Sequence, residues 1–125
     1  MPGPVERAIR AKIASGTTLA TFAQSKQFIV DAIDSEGIVL LLGAGRWRIR
    51  LTWSCLEGVP AFLGEGWVSL GGSHSQQVTP GTLDEYFKPH IKTDVARYVA
   101  AVLAQAGALD VRHGRPTQVR LRPGF

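Results

Sequence analysis

The sequence predicts an α+β fold: an N-terminal helix and a three-stranded antiparallel meander, packed on a unit that runs helix, strand, helix, helix, strand, strand. Three observations predict it. Apolar residues recur at helical spacing near both ends, as Val5, Ile9 and Ile13 and again as Val95, Val99, Val102, Leu103 and Ala106. Between them, residues 28–51 form three apolar runs parted by the turn-forming stretches Asp34-Ser35-Glu36-Gly37 and Gly43-Ala44-Gly45. Ser54-Cys55-Leu56-Glu57 and Thr82-Leu83-Asp84-Glu85 both have the spacing of a capping box, in which a hydroxyl and a carboxylate satisfy the free amides of a helix start.

Taken in order, the first helix ends near Ser15-Gly16, with Arg7, Arg10 and Lys12 off its apolar face. Strands over 28–33, 38–42 and 46–51 follow. Ser54 opens a short helix that Gly58 and Pro60 kink or split. Residues 67–70 are a short strand, and 71–81 a polar loop. The helix opened by Thr82 stops near Lys88, because Pro89 removes a donor and disfavours helical geometry before it. Thr93 caps the longer helix, and Gly107 ends it in the left-handed conformation that glycine adopts without strain. Residues 109–112 and 118–121 alternate as a hairpin, with Leu109 opposite Leu121 and Val111 opposite Val119. The chain divides at 53/54 into a helix-plus-meander part and a second part, 54–125, that shares its core.

With 125 residues, 45% of them hydrophobic, there is enough apolar surface for one core without a staple, and the single Cys55 allows no internal disulfide. Met-Pro-Gly-Pro leads into no apolar signal segment, and the longest aliphatic run, 38–42, is far too short to span a membrane. A cytoplasmic protein that does not engage membranes is expected. The net charge of +4 permits a polyanionic partner. Its distribution is more telling: Arg112, Arg115, Arg120 and Arg122 fall after Val111 with no acid among them, and Arg46, Arg48 and Arg50 form a second cluster.

Pairing Ile33 with Ile38 and Leu42 with Arg46 sorts the meander into two faces. Phe28, Val30, Ala32, Val39, Leu41, Trp47, Ile49 and Leu51 make a core face. The other carries Ile29, Ile33, Ile38, Leu40 and Leu42 beside Asp31 and the three arginines. Five aliphatics are too many for a solvated face. Either the N-terminal helix covers them or a partner does, a second copy of the chain among the candidates. Trp47, Trp53 and Trp67 are expected to stitch the two halves into one core.

From Ser54 onward, the element order and the arginine-rich hairpin resemble the winged helix-turn-helix superfamily, over roughly residues 54–122. The resemblance implies a fold often used to bind duplex DNA, with the second helix in the major groove and the wing on the backbone. It places Thr93, Asp94 and Arg97 at the groove and Arg112, His113 and Arg115 at the wing tip; Lys92 beside the helix and Arg122 beside the wing are expected as further contacts. Two features of the residues pull in different directions. The tip His113-Gly114-Arg115-Pro116 is shaped for phosphate, with a close-approach glycine and a guanidinium fork. The second helix offers only Thr93 and Arg97 beside Ala100 and Ala104, a poor set for reading bases and a plausible packing surface for a protein. Asp110 lies across from Arg120, an ordinary cross-strand ion pair.

No catalytic constellation emerges. His74, His90 and His113 stand apart from further ligands, Gly43-Ala44-Gly45 opens no helix and so cradles no phosphate, and Cys55 sits in an apolar stretch. The expectation is a non-enzymatic duplex DNA-binding regulator or targeting module, without cofactor or metal and working as a homodimer. The alternative is a protein-interaction adaptor that uses Ala100, Ala104 and the sheet face of Ile38, Leu40, Arg46, Arg48 and Arg50.

Overall fold

The computed structural model describes residues 3–22, 26–43, 47–70, 82–87, 95–114, 117–123 and 125. Their architecture is α+β. Helix α1 (Pro4–Lys12) leads into strands β1 (Thr17–Ala20), β2 (Gln27–Ile33), β3 (Gly37–Leu42) and β4 (Trp47–Thr52), an antiparallel sheet in the order β1-β2-β3-β4. Then come α2 (Trp53–Glu57), α3 (Val59–Leu63), β5 (Val68–Ser69), α4 (Leu83–Phe87), α5 (Ala96–Gln105), β6 (Leu109–Arg112) and β7 (Gln118–Leu121). The last three strands form a second antiparallel sheet in the order β5-β7-β6. One buried cluster joins both parts, from Val5, Ile9, Phe28 and Leu40 to Leu83, Phe87, Val99, Leu103 and Val119. Among the described residues no helix is long and apolar enough to cross a membrane.

Helix α5 lies at the centre of this core. Ala96, Val99, Ala100, Ala101, Val102 and Leu103 are all buried, and it packs on α1, α4, β1 and β6. It ends as expected: Gly107 takes φ 83°, its amide donates to the Ala104 carbonyl at 3.0 Å, and the Ala108 amide donates to Leu103 at 2.9 Å. These two bonds are a Schellman motif, which reverses the chain straight into β6. The helix starts later than expected, at Ala96, after a Val95 cap with no side-chain bond. Thr93, and with it the expected cap, lies outside the described residues.

The front sheet departs from expectation in three respects. It has a fourth strand, β1, which α1 makes room for by ending at Lys12. β3 has the opposite phase: a bulge between Val30 and Ala32 sets Val30 opposite Leu40, and Leu42 pairs with Trp47 in place of Arg46. A one-residue slip exchanges the faces of a strand. Ile38, Leu40 and Leu42 therefore point into the core, in one cluster with Val5, Ile9 and Val99, while Ile29 and Leu41 are half-buried outside it. Ile38 and Leu40 are thus corrected from surface to core. Third, Trp47 is 66% exposed and stitches nothing, although Leu42 opposite it on β3 is buried.

Polar contacts hold the halves in register. The Asp34 carboxylate accepts from the Glu36 amide at 2.9 Å and the Gly37 amide at 3.1 Å, closing the β2–β3 turn, and pairs with Arg50 at 2.9 Å. Its backbone carbonyl accepts from the Trp53 indole at 2.8 Å and from Arg10 of α1 at 3.0 Å. A side chain at Gly37 would strike the Leu51 carbonyl, so only glycine fits there. Capping is also rearranged. Thr52, in place of Ser54, caps α2 by accepting from the Cys55 amide at 3.2 Å. Glu57 instead reaches α1, where Gly3 offers no capping side chain, and accepts from the amides of Val5 at 3.1 Å and Glu6 at 2.9 Å. α2 and α3 are split at Gly58, as Gly58 and Pro60 led one to expect.

Two outcomes follow for stability. Removing this long-range cap by Glu57→Ala should lower unfolding stability by about 1 kcal/mol, read from the urea midpoint, with Glu57→Gln falling between that and wild type. Arg50 and the turn amides hold the Asp34 carboxyl below its ordinary value. Its stabilisation is therefore present above the ordinary carboxylate range and lost as pH falls through the depressed folded value. An Asp34→Asn protein should lose less stability than wild type over that acid limb in pH-dependent urea melts.

Candidate functional site

Alternation along the second sheet places its side chains on two faces. Val68, Val119 and Val111 share one row, and Leu109 with Leu121 another, all on the inward side. The intervening residues face outward: Ser69, Gln118 and Arg112 in one row, Arg120 and Asp110 in the next, with Trp67 one residue before Val68 in the same phase. Arg122 extends the β7 series. Three guanidiniums and one carboxylate thus share one exposed surface.

The groups are ordered by one another. Arg112 lies over the Trp67 ring at 4.3 Å from guanidinium carbon to ring centroid, and Arg120 lies over the same ring at 4.7 Å. Both are within the range of a cation–π contact. Arg120 Nε donates to Asp110 Oδ2 at 3.2 Å, and Arg122 Nε pairs with Asp110 Oδ1 at 3.7 Å. Arg112 also reaches the Gln118 side-chain oxygen at 3.4 Å. The cross-strand pairing of Asp110 with Arg120, and the registers 109/121 and 111/119, are as the sequence implied. Arg112 and Arg122, expected as wing contacts, have partners within the sheet. Arg122 remains 59% exposed, so its pairing leaves most of the guanidinium accessible.

The other expected site residues fare differently. His113 follows Arg112 at the tip and packs edge-on against Phe22 at 5.6 Å, tying the hairpin to the turn after β1. Arg97 is half-buried in the first turn of α5, and Tyr98 beside it packs edge-on against Phe28 at 5.2 Å. Ala100, expected on an open helix face, is in the core, because α5 is covered by the two sheets and α1 at once. Ala104 is half-buried. Of the front cluster, Arg50 is bound to Asp34, and Arg48 is exposed on β4. Lys92, Thr93, Asp94, Arg115 and Arg46 lie outside the described residues, as do His74 and His90.

Sequence reasoning assigned Trp67 to the core and set Arg120 aside, whereas Trp67 is half-buried against Arg112 and Arg120 on the outward face. The signal was present, since Trp67 and Ser69 alternate with the inward Val68, but it needed the β5–β7 register to be read. An open groove of about 470 Å³ adjoins this face, lined by Gly64, Glu65, Leu121, Arg122, Pro123 and Phe125. With one acid and one base on an apolar wall, it selects for no charge.

Chemistry elsewhere is sparse. Burial pushes the Cys55 thiol up, with only partial opposition from the Tyr86 hydroxyl, so it is a poor thiolate. That hydroxyl donates to the Cys55 carbonyl at 2.6 Å and so ties α4 to the end of α2. Among the described residues no three His, Cys, Asp or Glu side chains converge as metal ligands would. Comparison with protein-family models, with curated proteins and with solved structures gives no match.

Exposed ion pairs and stacks of this kind contribute little to folding. Arg112→Ala and Arg120→Ala should therefore each change unfolding stability by less than about 1 kcal/mol, measured by urea denaturation. A larger loss would make the face a structural ladder.

Proposed function

We propose that the chain is a non-enzymatic winged-helix module that binds duplex DNA along its sugar–phosphate backbone, as a regulator or targeting part in the cytoplasm. The observation that carries this reading is the outward face of β5-β7-β6, where Arg112 and Arg120 lie over Trp67 and Arg122 stands beside them with Asp110. Phosphate contacts from arginine supply sequence-independent affinity and release condensed counterions. The helix–strand–helix–helix–strand–strand order over α3 to β7 supports the same reading. The emphasis moves from helix to sheet: with Ala100 and its neighbours in the core, α5 has no broad face for a groove. Base reading through α5 is accordingly not part of the proposal.

A second reading, a protein-interaction adaptor, is favoured by one observation. Trp47 stands exposed on β4 next to Arg48, and Ile29 and Leu41 lie half-buried on the outer side of the same sheet. The adaptor surface through Ala100, Ile38 and Leu40 is lost to the core, so this reading now rests on Trp47.

Fluorescence anisotropy with a labelled random-sequence duplex separates the two. Arg112→Ala and Arg122→Ala should each weaken binding several-fold and reduce the slope of log affinity against log salt by about 1. Asp110→Asn should tighten binding and steepen that slope, because it removes the carboxylate that pairs with Arg120 and Arg122. Wild-type protein that ignores duplex at low salt, or arginine variants that bind as it does, would defeat the DNA reading and direct attention to Trp47.

A further inference from the structure

We infer that Trp67 is a positioning residue that holds Arg112 and Arg120 as a two-pronged clamp for neighbouring phosphates of one nucleic-acid strand. The inference rests on the nucleic-acid reading above and says which chemical feature of that partner the face recognises.

The ring-to-guanidinium distances, 4.3 and 4.7 Å, bound the separation of the two guanidinium carbons at about 9 Å. They come from the adjacent strands β6 and β7, diagonal neighbours on one face, and Trp67 reaches both from the β5 side of the sheet. A solvated arginine samples many rotamers and loses that freedom on binding. Stacking on the indole removes most of it beforehand. The pairing atoms are also favourable. Asp110 engages Arg120 through Nε, and among the described residues neither terminal nitrogen of Arg120 makes a hydrogen bond. A guanidinium stacked on a ring keeps its N–H edge in the plane, available to a phosphate oxygen.

The same geometry argues against stacking of bases. An exposed aromatic on a sheet is a good base platform only while its π-face is open. Here two cations already engage that ring, so the indole serves the arginines and the arginines serve the phosphates. Recognition at this face is therefore of backbone, indifferent to sequence.

The test compares wild type with Trp67→Leu, Trp67→Phe and the double variant Arg112→Lys/Arg120→Lys, on random duplex and on single strands, across a salt series. Trp67→Leu should weaken duplex binding about tenfold, the cost of ordering two arginine side chains on binding, while the salt slope stays as in wild type because no charge is removed. Trp67→Phe, which keeps an aromatic face, should recover most of the loss. The double lysine variant keeps charge and indole but lacks the planar fork, and should weaken binding to a similar extent. In the free protein, the Arg112 and Arg120 Nε–H resonances should show ring-current shifts that vanish in Trp67→Leu.

Duplex binding by Trp67→Leu at wild-type strength overturns the inference and leaves the DNA reading intact. A loss confined to single strands also overturns it, since the indole would then be a base platform. Wild type that binds neither form removes the DNA reading itself, and the clamp with it. Should Trp67→Leu fail to fold, the double lysine variant decides: unchanged affinity rejects the clamp.

Discussion

The burial of α5 is the constraint on which the rest of the molecule depends, because two sheets and two helices close on a single ten-residue helix. That closure requires small side chains wherever neighbours approach from opposite sides, and Ala96, Ala100, Ala101 and Ala106 supply them. An amphipathic surface helix would need only one apolar stripe. Here the apolar surface runs almost the whole way round, so the helix is a central strut. The Schellman reversal at Gly107 then fixes where β6 starts and which way it runs. The orientation of the basic sheet face follows from the packing of a helix that itself touches little solvent.

Polar groups, few in number, set how the front sheet meets this strut. The Asp34 turn ties α1 through Arg10, β4 through Arg50 and α2 through Trp53, while Glu57 caps α1 from the end of α2. Each is a specific, directional contact between elements that apolar packing alone would leave free to slide. The edge-on contacts of Phe22 with His113, between the turn after β1 and the C-terminal hairpin, and of Phe28 with Tyr98, between β2 and α5, play the same part. The proposed clamp, with Arg112 on β6, Arg120 on β7 and Trp67 just before β5, depends on those strands keeping their register.

Legibility in the sequence tracked the range of the interaction. The C-terminal hairpin was readable to the residue, since its pairing is local and alternation of Leu109, Val111, Val119 and Leu121 leaves one register. So were the glycine end of α5 and the break at Gly58. The phase of β3 was not, because the bulge at Asp31 inserts a residue that no periodicity announces. Strand β1 escaped notice because Thr17–Ala20 is short and has a neighbour on one side only. Long-range capping was equally hidden: Glu57 has capping-box spacing from Ser54, yet its partners lie some fifty residues away in the same chain. Of the site, the arginines were visible as a cluster, while Trp67 was not, since its role depends on a strand pairing between distant segments.

The central claim is that the outward face of the small sheet meets the polyanion. The most direct measurement is a ¹⁵N NMR titration of the protein with a random-sequence duplex, following arginine Nε and tryptophan indole resonances. The account predicts shifts at Arg112, Arg120, Arg122 and the Trp67 indole, with those of Trp47 and Trp53 unmoved. Perturbations centred on Trp47 and Arg48, with the small sheet silent, would contradict it.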